Sequence, residues 1–138
     1  TKNQSTFYVY GLKMLNLILR ILERNKGNLF QPIIVSEKTQ RYICKEISKN
    51  YNCALISNLY HYLTNEHQYR QFDVIVVKLS LPLTSTELYA CNLGREAFAG
   101  FGKPVLWFLS EEQQRQLQGC PDLWSCASIM LMEDYDED

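Results

Sequence analysis

A chain of 138 residues with 46% hydrophobic and 12% aromatic content can bury a core of ordinary size, and a single domain is expected. Its 14 basic and 15 acidic side chains leave a formal charge of −1 and are spread along the chain rather than massed, which argues against nucleic acid or an anionic membrane surface as a partner. Five cysteines, an odd number with no C-x-x-C spacing, argue against a disulfide framework and for thiols serving as small core residues in a reducing, cytoplasmic setting.

The first element expected is a helix over residues 9–25, VYGLKMLNLILRILERN, whose polar positions Lys13, Asn16, Arg20 and Glu23 recur at spacings of three and four. The polar stripe is narrow, and apolar side chains cover more of the circumference than one sheet face usually needs. Such a helix is either buried between two layers or presented to a partner through residues such as Leu15, Ile18 and Leu22. Its charges interrupt the apolar run well short of a membrane span, and no signal peptide is visible.

After Gly27 short apolar runs alternate with amphipathic stretches, the pattern of a parallel sheet with crossover helices. Strands are expected near 32–35, 54–57, 73–79, 104–109 and 128–132, with helices near 37–50, 58–68, 86–100 and 111–118. The fold class is α/β, a three-layer sandwich with a mostly parallel sheet of about five strands and an N-terminal apolar helix. One domain over 1–132 is followed by the acidic run 133–138, EDYDED, which reads as a disordered tail.

In such sheets ligands sit at the carboxyl ends of the strands. The first of these ends, VSEKTQ, places Lys38 and Thr39 where a phosphate-binding loop has its Lys and Thr. The glycines that would let backbone N–H groups wrap a phosphate are missing, and Glu37 adds a negative charge, so Ser36 reads as a helix cap. The third, VVKLSL, offers Lys78 and Ser80 where a magnesium-holding acid would stand, and the fourth, FLSEEQQ, reads as Ser110 capping a helix with Glu111 and Glu112 in its first turn. No nucleophile with an adjacent base appears, and His61 and His67 have no ligand-spaced companions, so neither a cofactor nor a metal is expected. The aromatic cluster Tyr60, His61, Tyr62 and Tyr69 lies in a polar segment, where it serves either a protein interface or packing on the sheet.

Three later pieces carry further signals: NLGRE (92–96), GKPVLWFLS (102–110) and PDLWS (121–125). Asn92, Arg95 and Glu96 share one helical face and can form a polar network. Gly102 suits a left-handed residue closing a helix, and Pro104 starts a strand without needing an N–H. Pro121 and Asp122 mark a turn, after which Leu123 and Trp124 can close the sheet edge. In this order the pieces resemble the degenerate, inactive relatives of STAND-type P-loop NTPases found in bacterial signalling and conflict proteins, over roughly residues 28–132. That resemblance implies a non-catalytic adaptor or sensor that works through protein partners, such as an effector protease or its regulator, or a pore-former.

Two other readings stand beside it. VIVVKLSLPLTSTELYA followed by GKPVLWFL is similar to the strand, helix and strand of a TIR domain, which would place Glu87 near that family's catalytic Glu and imply an NAD hydrolase. Alternatively, Lys38 and a helix N-terminus would hold a nucleotide in a regulatory domain without hydrolysing it.

Overall fold

The computed structural model describes residues 32–80 and 82–124, the helical positions Asn16 and Arg20, and the backbone of Met130 and Leu131. Chain order runs β1 (Pro32–Ile34), α1 (Glu37–Ser48), β2 (Cys53–Ile56), α2 (Leu59–Thr64), α3 (Glu66–Tyr69), β3 (Val74–Lys78), α4 (Ser85–Ala99), β4 (Val105–Leu109), α5 (Glu111–Gln118) and α6 (Pro121–Trp124). The short strand β5 (Met130–Leu131) then meets β1. The expected helix over 9–25 lies outside the described residues except at Asn16 and Arg20, which are helical and exposed.

Every strand pairing is parallel, in the order β2-β3-β4-β1, with Met130 and Leu131 pairing Ile33 and Ile34 on the outer side of β1. β1 is therefore separated from β2 by two strands. That order differs from the flavodoxin-like order 2-1-3-4-5 and the dinucleotide-binding order 3-2-1-4-5-6.

Alternation along each strand divides the apolar residues between two faces. Val74 and Val76 of β3, with Leu106 and Phe108 of β4, join Ile33 and Val35 under Ile43 and Ile47 of α1. The opposite face carries Ile75, Val77, Val105, Trp107 and Leu109, covered by α2, α4, α5 and α6. The strands are apolar on both sides because both sides are covered. Direction along the sheet and choice of face change together: the step from β1 to β2 uses the α1 face, and the return steps use the other. All crossovers thus share one hand, as the right-handed rule requires.

The two faces pack differently. Beneath α1 the core is aliphatic apart from Phe108, whereas on the other face aromatic rings make a ladder from surface to sheet. Tyr69 meets Tyr62 at 5.2 Å between centroids, Tyr62 meets Phe98 at 4.2 Å, and Phe98 meets Trp107 edge-on at 5.5 Å. Lys103 Nζ donates to the carbonyls of Arg70 at 2.7 Å and Phe72 at 2.9 Å, tying the approach to β4 to the residues that lead into β3.

Two local expectations are revised. The segment expected as one helix over 58–68 is two helices separated by Asn65, whose side chain donates to the His61 carbonyl at 2.8 Å and so closes the first. Pro121–Trp124 is a short helix rather than a turn at the sheet edge, and Leu123 is buried with the helices of the aromatic face. Gly102 does take φ +73°, the left-handed conformation expected of it, two residues after the C-cap Gly100.

Candidate functional site

β1 and β4 are neighbours, yet their following helices lie on opposite faces, α1 on one and α5 on the other. This is the switch point of the sheet, where the two departing chains leave a crevice. A cleft of about 790 Å³ opens there, walled by the carboxyl ends of β1 to β4 and by the first turns of α1 and α5. Its floor is apolar, with Ile34, Val35, Leu79 and Phe108, and Leu55 stands at its β2 side.

Both helix starts are fixed by their own sequence. Ser36, extended at φ −63° and ψ 158°, accepts from the Thr39 backbone N–H at 3.2 Å. Ser110 makes a full capping box with Gln113: its hydroxyl accepts from Gln113 N at 3.1 Å, and Gln113 Oε1 accepts from Ser110 N at 3.2 Å. Gln113 is buried, and its Nε2 also donates to the carbonyls of Leu79 and Ser80, both at 3.0 Å, so it holds the end of β3 against the start of α5. Gln40, likewise buried, returns one bond to the Val35 carbonyl at 3.2 Å.

Charge at the cleft is unbalanced. Lys78 Nζ lies 3.2 Å from Glu37 Oε1, and Arg41 reaches the same carboxylate at 3.6 Å. Among the described residues no ion pair involves the exposed Glu111 and Glu112. Three carboxylates therefore face a single ammonium among the lining residues.

The residues singled out from the sequence are distributed as follows. Thr39 is 1% exposed, and its hydroxyl accepts from Ser36 Oγ at 3.1 Å, so it is occupied in the cap; Lys38 is exposed on α1 and does not line the cleft. Tyr62 belongs to the core at 2% exposure, which removes it from the surface. Tyr60 is exposed, with its hydroxyl 3.4 Å from the Thr86 carbonyl, while half-buried Tyr69 shares its hydroxyl with His61 Nδ1 at 2.7 Å. Arg95 Nη2 donates to Asn92 Oδ1 at 3.1 Å, whereas exposed Glu96 stays outside that pair. Pro104 leads into β4 and gives its carbonyl to Ile75 N at 3.1 Å; Asp122 and Trp124 lie in α6. Glu87 forms the capping box of α4 with Thr84 and does not line the cleft. Leu15, Ile18 and Leu22 lie outside the described residues.

The cleft offers carboxylates, one ammonium and serine hydroxyls. No His or Cys lines the cleft, and two of its hydroxyls, Ser36 and Ser110, are engaged as caps. Elsewhere burial pushes the thiols of Cys44 and Cys53 up, and that of Cys91 up to about 12, the reverse of what an activated nucleophile needs. Among the described residues no group of three or more His, Cys, Asp or Glu could hold a metal ion, and no helix is long and apolar enough to cross a membrane. Sequence reasoning named Ser36, Lys78 and Ser110 but missed Gln40, Gln113 and Leu55. For Gln113 a signal existed, since S-x-x-Q is a capping box in its own right.

No protein-family model matches the chain, and none of the curated proteins compared with it matches either.

Proposed function

We propose that the protein is a non-catalytic adaptor or sensor module that keeps an NTPase-like architecture and acts through protein partners in a bacterial defence or signalling system, coupling to an effector such as a protease or pore-former. The observation that carries this reading is the form of the cleft at the switch point. Only Val35 and Ser36 separate β1 from α1, with no glycine between them, and the rim bears Glu37, Glu111 and Glu112. A phosphate there would meet carboxylates at two helix N-termini, and the nearest ammonium, Lys78, is already paired with Glu37. In the complete module β5 is a fifth strand, the layers number three, and residues 9–25 supply an apolar helix whose Leu15, Ile18 and Leu22 meet the partner.

Calorimetric titration with ATP, ADP and NAD, with and without magnesium, tests the reading, with NAD consumption followed in the same samples. The expected result is no binding at micromolar concentrations and no loss of NAD. Micromolar nucleotide affinity would overturn the adaptor in favour of a nucleotide switch, and NAD loss abolished by Glu87→Ala would make the protein a hydrolase.

A further inference from the structure

Leu55 is exposed to 63% although its strand neighbours Ala54 and Ile56 are buried, and although its pairing partner Val76 on β3 is only 2% exposed. The reason lies in the topology. α1 leaves the carboxyl end of β1 and must reach the amino end of β2, so it crosses the sheet away from the corner where β2 ends. Val76 is covered on that face, and Leu55 is left as an apolar wall of the open cleft.

The opposite side of the same cleft is negative. Glu37 is shared between Lys78 and Arg41, whereas Glu111 and Glu112, both exposed in the first turn of α5, make no ion pair among the described residues. Lys38 and Arg115 lie on these same two helices but not on the cleft wall. An anionic occupant would be repelled, and a purely apolar one would strand two carboxylates. The complement to this surface is cationic and apolar together.

We infer that the cleft at the carboxyl ends of the strands docks a segment of a partner protein that brings a basic side chain to Glu111 and Glu112 and an apolar side chain to Leu55. This rests on the adaptor reading and gives its partner a chemistry: a basic, amphipathic stretch of chain. The volume of about 790 Å³ falls within the range of clefts that enclose a ligand of several side chains.

Fluorescence anisotropy with a labelled peptide of alternating arginine and leucine tests the inference, with a glutamate and leucine peptide of equal length as control. The arginine peptide is expected to bind saturably and to weaken as salt is raised. Glu111→Gln with Glu112→Gln, which leaves the Ser110 and Gln113 capping box in place, is expected to reduce its affinity about tenfold, and Leu55→Ser by a similar factor. Circular dichroism and thermal unfolding confirm that each variant is folded. The charge reversal Glu111→Lys with Glu112→Lys is expected to transfer preference to the glutamate peptide. Absence of saturable binding of the arginine peptide, or binding that none of these substitutions changes, overturns the docking. Either failure leaves the adaptor reading standing so long as the nucleotide titrations stay silent, so the two claims fall separately.

Discussion

The two strand-to-helix turns at the switch point are written almost alike, Val35-Ser36-Glu37 and Leu109-Ser110-Glu111, and each serine side chain accepts a backbone N–H three residues on. Their surroundings differ. The first turn has its glutamate met by Lys78 and Arg41 and its buried glutamine tied by one bond to its own strand. The second has two unmatched glutamates, and its buried glutamine is bonded across to the end of β3. Identical local grammar fixes the start of a helix in both places. What it does not fix is whether the turn is electrically closed, as at α1, or open to a charged neighbour, as at α5.

The largest expected effect lies away from these turns, among the buried groups of the aromatic face. Burial holds the Cys91 thiol at about 12 against an ordinary 9, and the Tyr62 hydroxyl at about 12 against 10. In the unfolded chain these groups ionise at their ordinary values while the folded protein keeps them neutral, so their contribution is fully present below pH 9 and is lost as pH climbs toward 12. Cys91 removes stability at up to about 1.4 kcal/mol per pH unit above pH 9, and Tyr62 adds to that loss only above pH 10. The urea midpoint should fall steadily above pH 9, and a flat profile between pH 9 and 11 would contradict the burial of both. The turns themselves are best compared at neutral pH.

There, Gln113→Ala should cost about 2 to 3 kcal/mol, because it strands two carbonyls and the Ser110 N–H, whereas Gln40→Ala should cost about 1 kcal/mol. Chemical denaturation of the two variants side by side measures the difference, and equal losses would mean that the link from α5 to β3 carries no more than a local cap. The smallest effect belongs to Lys78→Met. Its ion pair with Glu37 is partly solvated, so the change should stay below about 1 kcal/mol and shrink further in high salt. That substitution leaves Glu37 with Arg41 alone, and a loss well above this figure would show that Lys78 closes the first turn more firmly than a solvated pair does.

How far the sequence could be read follows the same division between local and non-local causes. The strands Val74–Lys78 and Val105–Leu109 were legible as unbroken apolar runs, because coverage on both faces removes the need for alternation. Ser36 and Ser110 were legible as caps because capping is decided within four residues. For Tyr62 the sequence left interface and packing on the sheet both open, and its burial follows from the ring's stack with Phe98, a residue far along the chain. The capping role of Gln113 was within reach, but its bonds to Leu79 and Ser80 were not, because those residues belong to a different strand end and no window of sequence joins them. Leu55 reads as one more apolar strand residue, and only the path of α1 across the sheet shows why it is left bare.

The strand order also sets a timetable. β1 precedes every other described strand in the chain, but Pro32 pairs with Trp107 and Ile33 with Met130, so β1 finds neither neighbour until most of the chain is available. β2 and β3, by contrast, are joined by a short helical connection and can pair early. Closing long loops costs entropy before their contacts repay it, so β1 with α1 should lock into place late, as a wedge driven between β4 and β5. The switch-point cleft, bounded by that wedge, is then among the last features of the molecule to exist, and a chain halted before β4 would display the apolar edge of β3 but no crevice at all.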